Sequence, residues 1–316
     1  MPTRKAPRKG SLQFWPRKRA SKFLPSVNWE AIDSNKKIKG FIGYKAGMAS
    51  AIVKDNSPNS MTKGKEIALP VTILECPSMK IFSVRFYKNR KVAKELLAEN
   101  LEKELKRKVK LPKKKIKKIE EEKIEGYDDV RIICYSQSKK TGLKKKPDLV
   151  EFGISGKNIE EKMVFIKETL GKEISISDIF GKGELVDLRG LTKGKGFSGP
   201  VKRFGITLKS HKSEKGVRRP GAIGSWHPAR TTFRAPQAGQ LGMFSRVNYN
   251  SKILDLGKGE GKKELTNIKN YGNIKTDYLL VNGSVQGPAK RQLLITAPLR
   301  ETKQQSKKEY ELESIR

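Results

Sequence analysis

The chain has 316 residues, enough for one or two domains with a sizeable core. Its 69 Lys and Arg against 33 Asp and Glu give a formal charge of +36, and self-repulsion of that size opposes compaction unless a polyanion offsets it. Charge kept for solubility alone is mixed in sign and far smaller, no apolar run approaches the roughly 18 residues of a spanning helix, and the cationic N-terminus lacks the apolar core of a secretory leader, so the composition points to nucleic acid and away from membrane and secretion.

From Met1 to Trp29 there are eight Lys or Arg and no acid. A plain solvated tail has no need of Leu12, Phe14, Trp15, Phe23 and Trp29. Residues 1–36 therefore read as an arm that threads along RNA, with cations on phosphates and rings stacked on bases or packed in grooves. From Lys37 the pattern becomes strand-like. I-K-G-F-I-G-Y-K-A-G-M-A-S-A-I-V predicts two strands around a bend near Ala46-Gly47. E-I-A-L-P-V-T-I-L-E-C and M-K-I-F-S-V-R-F-Y follow, split by Pro77-Ser78. The second predicts Ile81, Ser83, Arg85 and Tyr87 on one face and Phe82, Val84 and Phe86 on the other. Short strands with Gly and Pro punctuation suggest a small barrel or sandwich.

Leu97, Leu101, Leu105 and Val109 recur at four-residue spacing and predict an amphipathic helix that stops near Pro112. The charged run at 113–125 reads as a second helix or a surface loop. Strands are expected at Val130–Tyr135 and Leu149–Ile154, and a helix from an Asn158 N-cap to Leu170, ended by Gly171. Residues 88–178 thus read as an α+β insert. Glu184–Thr192 returns to strand character. After Asn250, S-K-I-L-D-L-G is strand-like; T-D-Y-L-L-V-N-G and R-Q-L-L-I-T-A-P are expected to pair with each other. Residues 301–316 read as a mobile polar tail. Cys76 and Cys134 lie in strand-like runs with no Cys-x-x-Cys or neighbouring histidine, so they read as buried small hydrophobes rather than zinc ligands.

The stretch around which the chain is organised runs from Asp187 to Asp255, with fourteen Lys or Arg between them and one acid, Glu214. Neither helical nor strand periodicity persists there. Long structureless connections in compact domains are functional or disordered, and disordered ones are poor in large apolar groups, whereas this one carries Phe197, Phe204, Trp226, Phe233 and Phe244. It reads as an extension that becomes ordered on a polyanion. Gly194, Gly196 and Gly199 fit G-x-G-x-x-G, but Pro200 and V-K-R-F-G do not open an amphipathic helix, which excludes a dinucleotide fingerprint; the glycines instead let the backbone approach phosphate closely. The two histidines, His211 and His227, have no carboxylate to orient an imidazole. No enzyme, cofactor or metal site is expected.

Seven blocks make the reading specific: G-S-L-Q-F-W-P-R-K-R-A at 10–20, G-F-I-G-Y-K-A-G-M at 40–48, T-K-G-K-G-F-S-G-P-V-K-R-F-G at 192–205, H-K-S-E-K-G-V-R-R-P-G at 211–221, G-S-W-H-P-A-R at 224–230, P-Q-A-G-Q-L-G at 236–242 and N-G-S-V-Q-G-P-A-K-R at 282–291. Together they resemble the universal large-subunit ribosomal protein L-three family, in its archaeal and eukaryotic branch and closer to the archaeal side. The resemblance implies a mainly β fold: a translation-protein type six-stranded barrel from 37–87, 179–192 and 250–300, with the 88–178 insert, the 1–36 arm and a 193–249 extension toward the peptidyl transferase centre. It implies contacts to large-subunit rRNA from Arg17, Lys18, Arg19, Lys193, Lys195, Lys202, Arg203, His211, Lys212, Lys215, Arg218, Arg219, Trp226, His227, Arg230, Arg234 and Arg246, with Ser225, Trp226, His227 and Pro228 as a finger near that centre. The implied role is structural and non-catalytic: rRNA binding, early subunit assembly, and support of the region where elongation factors bind, in the cytoplasmic ribosome. The expected partners are rRNA and neighbouring ribosomal proteins, with no membrane and no small-molecule substrate. The competing reading from charge alone is a non-ribosomal RNA chaperone or assembly factor.

Overall fold

The computed structural model describes residues 7–112, 119, 126–156, 158–213 and 215–316. The expected second helix or loop at 113–125 lies outside the described residues except for Ile119, which is buried. Strands dominate. They are β1 (Gly40–Asp55), β2 (Glu66–Cys76), β3 (Met79–Lys88), β4 (Lys91–Leu97), β5 (Asp129–Ser136), β6 (Leu149–Gly153), β7 (Leu185–Leu191), β8 (Phe197–Ser198), β9 (Gly239–Gln240), β10 (Ser245–Lys258), β11 (Asp277–Asn282), β12 (Gln292–Thr296) and β13 (Tyr310–Ile315). The described helices are short: α1 (Ser138–Thr141), α2 (Ile159–Thr169), α3 (Pro200–Phe204) and α4 (Lys303–Ser306). The chain forms two compact units, one from Leu24–Gly190 with Val247–Arg316, the other from Leu191–Arg246 with the described part of Met1–Phe23.

The larger unit holds two sheets. Hydrogen-bonded neighbours in the first follow the order β12-β7-β10-β11-β2-β1-β13, and β12 also pairs with β1. The second is β4-β3-β5-β6. Strand β1 is central: Gly40–Tyr44 pairs with β12, Tyr44–Lys54 with β2 and Ala51–Asp55 with β13. Gly40–Ala46 is buried throughout and reads as a continuous apolar run rather than an alternating one, with Phe41, Ile42 and Tyr44 in the main core and Ala46 in a second cluster. The main core gathers Phe41, Ile42, Leu74, Cys76, Val84, Phe86, Ile132, Cys134, Phe152 and Leu294. Both cysteines are buried and free, as their surroundings predicted.

Several expectations are corrected. The bend near Ala46-Gly47 does not split β1; it is a register shift against β2 within one strand, where Lys45 faces Leu74 and Gly47 faces Ile73. A second shift, between Ile81 and Ser83 of β3 in its register against β5, overturns the expected alternation in β3. One extra residue reverses which face later side chains occupy. Ile81 therefore joins Val84 and Phe86 in the main core, while Phe82 turns to a separate cluster with Leu105, Ile133 and Tyr135. The helix predicted through Leu97–Val109 is absent: Leu97 ends β4, and only Lys103–Arg107 forms a 3₁₀ turn. The four-residue spacing is real as burial, since Leu97, Leu101 and Val109 pack on the Phe82 cluster around buried Leu105. Strands β11 and β12 do not pair with each other; β11 lies between β10 and β2, and β12 between β7 and β1. The C-terminus, expected as a tail, carries α4 and then β13 on β1. Helix α2 matches its prediction, although the Asn158 side chain makes no capping bond.

Candidate nucleic-acid interface

The smaller unit draws twelve Lys and Arg from Leu191–Arg246 and eight from Met1–Phe23, against the single acid Glu214. Its base is a two-limbed stem. The outgoing limb 192–198 and the returning limb 239–244 are joined by backbone bonds: the Thr192 amide to the Phe244 carbonyl at 3.0 Å, the Lys195 amide to the Leu241 carbonyl at 3.0 Å and the Leu241 amide to the Gly196 carbonyl at 2.8 Å. Strands β8 and β9 complete it, Phe197 facing Gln240 and Ser198 facing Gly239. The turn of the returning limb needs glycine. Gly242 has φ +77°, and a Cβ there would lie 1.9 Å from the Lys193 carbonyl oxygen.

Beyond the stem, Pro200 opens α3, the position where its fixed φ and missing N–H cost least. The sequence predicts no amphipathic helix here, and a single five-residue turn forms, closed by Gly205 at φ +62°. Its buried residue is Phe204. The Arg203 guanidinium bridges back to the returning limb, donating from Nε to the Gln240 carbonyl at 3.0 Å and from Nη1 to the Gln237 carbonyl at 2.9 Å.

The N-terminal arm is laid against this frame only as far as Phe23; Trp29 and Ile32, expected as part of the arm at 1–36, are buried in the core of the larger unit. The Ala20 amide donates to the Met243 carbonyl at 2.9 Å, and Arg8 donates to the Arg234 carbonyl at 2.6 Å. Arg17 donates to the Arg203 carbonyl at 2.9 Å and stacks on Phe204 with its guanidinium carbon 4.3 Å from the ring centroid. Trp15 lies 6.4 Å from the same ring. Arg246 stacks on Phe14 at 4.1 Å. Burial, and then the nearby Arg8 charge, lowers the Arg17 pKa; burial and then Arg17 lower those of Arg203 and Arg246.

The structure thus divides the predicted site residues. Arg17, Arg203 and Arg246 are half-buried and hold the arm and the stem together. Lys18, Arg19, Lys193, Lys195, Lys202, His211, Lys212, Lys215, Arg218, Arg219, Arg230 and Arg234 are exposed. Ser225, Trp226, His227 and Pro228 are exposed as well, in a turn where the Ser225 hydroxyl donates to the His227 carbonyl and the Arg230 amide donates to the Pro228 carbonyl at 2.7 Å. Trp226 is 87% exposed. Two further aromatic side chains, Phe197 and Phe233, are more than four-fifths exposed and were not singled out as site residues; their signal is a large ring next to glycine or a cation in a stretch with no apolar period. Such rings have flat faces for bases, and the cations around them suit phosphates. Among the described residues no cluster of His, Cys, Asp and Glu is arranged to hold a metal ion.

The sequence model of the family described as ribosomal protein L3 matches residues 1–316. The protein from Methanocaldococcus jannaschii named large ribosomal subunit protein uL3 is 42% identical over 309 residues, covering 93% of this chain and 91% of that one. Those of the same name from Methanobrevibacter smithii and Archaeoglobus fulgidus are each 41% identical, over 93% and 94% of this chain and 92% and 93% of their own.

Proposed function

The chain belongs to the ribosomal protein L3 family and is a structural component of the large subunit of the cytoplasmic ribosome; from that premise we propose that its smaller unit binds large-subunit rRNA and carries the Trp226 turn toward the peptidyl transferase centre. The observation that carries this reading is the exposed Trp226 in a unit with twenty cations and one acid. Each phosphate neutralised by Lys212, Lys215, Arg218, Arg219 or their neighbours releases counterions, which gives affinity without sequence preference. A base stacked on a tryptophan adds roughly 1–3 kcal/mol. The inward arginines contribute differently: by holding the arm, stem and α3 together, they reduce the conformational entropy lost on docking.

The proposed roles extend to early subunit assembly and to shaping the region where elongation factors bind, with neighbouring ribosomal proteins as further partners. No chemical step is assigned to the protein. We also propose that the main sheet of the larger unit is a six-stranded barrel of the translation-protein type; the second sheet, inserted between β2 and β7, already begins with β3 at Met79, so the insert starts earlier than the expected residue 88. The pairing of β12 with both β7 and β1 supports that reading. In cell extracts at moderate salt the protein should sediment with large subunits; recovery in slowly sedimenting fractions, apart from them, would contradict the assignment.

A further inference from the structure

Strand β13 pairs with β1 along one edge, and no described strand pairs with its other edge. Such an edge presents a row of unpaired N–H and C=O groups, which natural proteins ordinarily cover or blunt. A cleft of about 1070 Å³ runs along it. Every residue from Glu309 to Ile315 borders the cleft, as expected when it follows the edge of the strand rather than one face, and Lys252–Asp255 of β10 form part of the opposite wall. A six-residue strand spans roughly 20 Å, so the space suits a second strand of similar length.

The charges in the cleft select the occupant. Lys252 is committed, donating to the carbonyls of Gln305 at 3.2 Å, Ser306 at 3.1 Å and Lys308. Asp255 is committed too, with Lys182 at 2.5 Å and Lys262 at 3.5 Å. The carboxylates of Glu264, Glu309 and Glu313 make no ion pair or hydrogen bond among the described residues, and Glu311 has only a 3.4 Å bond from Asn56. Lys308 also lines the cleft, Lys54 of β1 stands opposite Glu311, and Glu309 acts on the Lys252 ammonium. In a chain of charge +36, the cleft is lined by six carboxylates and four lysines, an excess of negative charge on a sheet edge.

We propose that the free edge of β13 takes an extended, Lys/Arg-rich segment of another protein as an added β-strand. Main-chain bonds would supply affinity and the alternate side chains specificity. Glu311 and Glu313 are exposed while Tyr310 and Leu312 are partly buried, so the fitting segment alternates cationic and apolar residues. RNA is the wrong occupant, because its phosphates would meet carboxylates. A second copy of this chain is also wrong, because antiparallel pairing of β13 with itself sets glutamates opposite glutamates, and like charges across a ladder destabilise it.

The test uses the full-length chain and a fluorescent eight-residue peptide of alternating Lys and Val, read by anisotropy at low salt. Saturable binding is expected. Glu311→Lys with Glu313→Lys should weaken it at least tenfold, and the milder pair Glu311→Gln with Glu313→Gln should weaken it in the same direction while keeping side-chain size. A peptide N-methylated at alternate amides should not bind, since it cannot extend the ladder. Absence of binding overturns the proposal, as does indifference to both variant pairs. Undiminished binding of the methylated peptide also overturns it, because that would be ionic attraction without strand addition.

Discussion

Arg17 stacks on Phe204 at 4.3 Å and donates to the carbonyl of Arg203 at 2.9 Å, so one side chain joins the N-terminal arm to a helical turn 186 residues further along the chain. A cation on an aromatic face contributes about 0.5–2 kcal/mol. Arg17→Ala should therefore loosen the arm by about 1–2 kcal/mol and speed exchange of the Ala20 amide roughly 5- to 30-fold. Arg17→Lys should recover only part, because lysine lacks the planar fork. Unchanged exchange at Ala20 in the alanine variant would show that the arm is held by other contacts.

The two glycines Gly199 and Gly242 belong to the same unit but should respond oppositely to alanine. Gly199 has nothing within 4 Å of an added Cβ and an ordinary φ of −68°, so Gly199→Ala should leave the unit intact. Gly242→Ala must place a Cβ against the Lys193 carbonyl in a left-handed residue, which costs about 1–3 kcal/mol for the backbone conformation alone. Loss of protection of the Thr192 amide, which bonds to Phe244, is the readout. Equal protection in the two variants would contradict the stem as described.

Trp226→Ala removes a side chain that is 87% exposed. Surface substitutions of this kind change stability by no more than about 0.5 kcal/mol, so the thermal midpoint of the isolated protein should hold. Binding to a large-subunit rRNA fragment should weaken by the loss of one stacked base, roughly 1–3 kcal/mol. A fall in thermal stability with RNA affinity unchanged would place Trp226 in the packing instead.

The Lys140 ammonium at 2.7 Å, with the Ser78 hydroxyl at 2.8 Å and the Gln137 amide at 3.0 Å, holds the Glu173 carboxyl at about 2 against an ordinary 4.5. The folded value lies below the unfolded one, so its contribution is present above about pH 4.5 and is lost as pH falls toward 2. The difference in urea midpoint between wild type and Glu173→Gln should therefore shrink across that interval. The effect will be modest, because the carboxylate is partly exposed and screened. A difference that does not vary with pH would rule out this linkage.

What was legible in the sequence follows from what a one-dimensional pattern carries. Most strands were visible as short apolar runs between Gly and Pro signals, and the cationic stretch with its exposed Trp226 stood out because no core explains such residues. The faces of β3 were not legible, because a one-residue shift at Phe82 reverses side-chain parity without changing composition. The four-residue recurrence through Leu97, Leu101, Leu105 and Val109 has the spacing of a helix but marks burial on a neighbouring sheet, and tertiary packing overrides periodicity there. Strand β13 was hidden by its glutamates, since an edge strand needs an apolar side chain only at alternate positions. The inward roles of Arg17, Arg203 and Arg246 were hidden for a related reason: their partners, Phe204, Gln240 and Phe14, are remote in sequence or are backbone carbonyls.

Ultraviolet cross-linking in cells, with the linked RNA sequenced and the linked peptide mapped, tests the central claim most directly. The account predicts cross-links from the peptide containing Trp226 to one fixed site in large-subunit rRNA. Cross-links dispersed over many unrelated transcripts would contradict it and leave a general RNA-binding protein in its place.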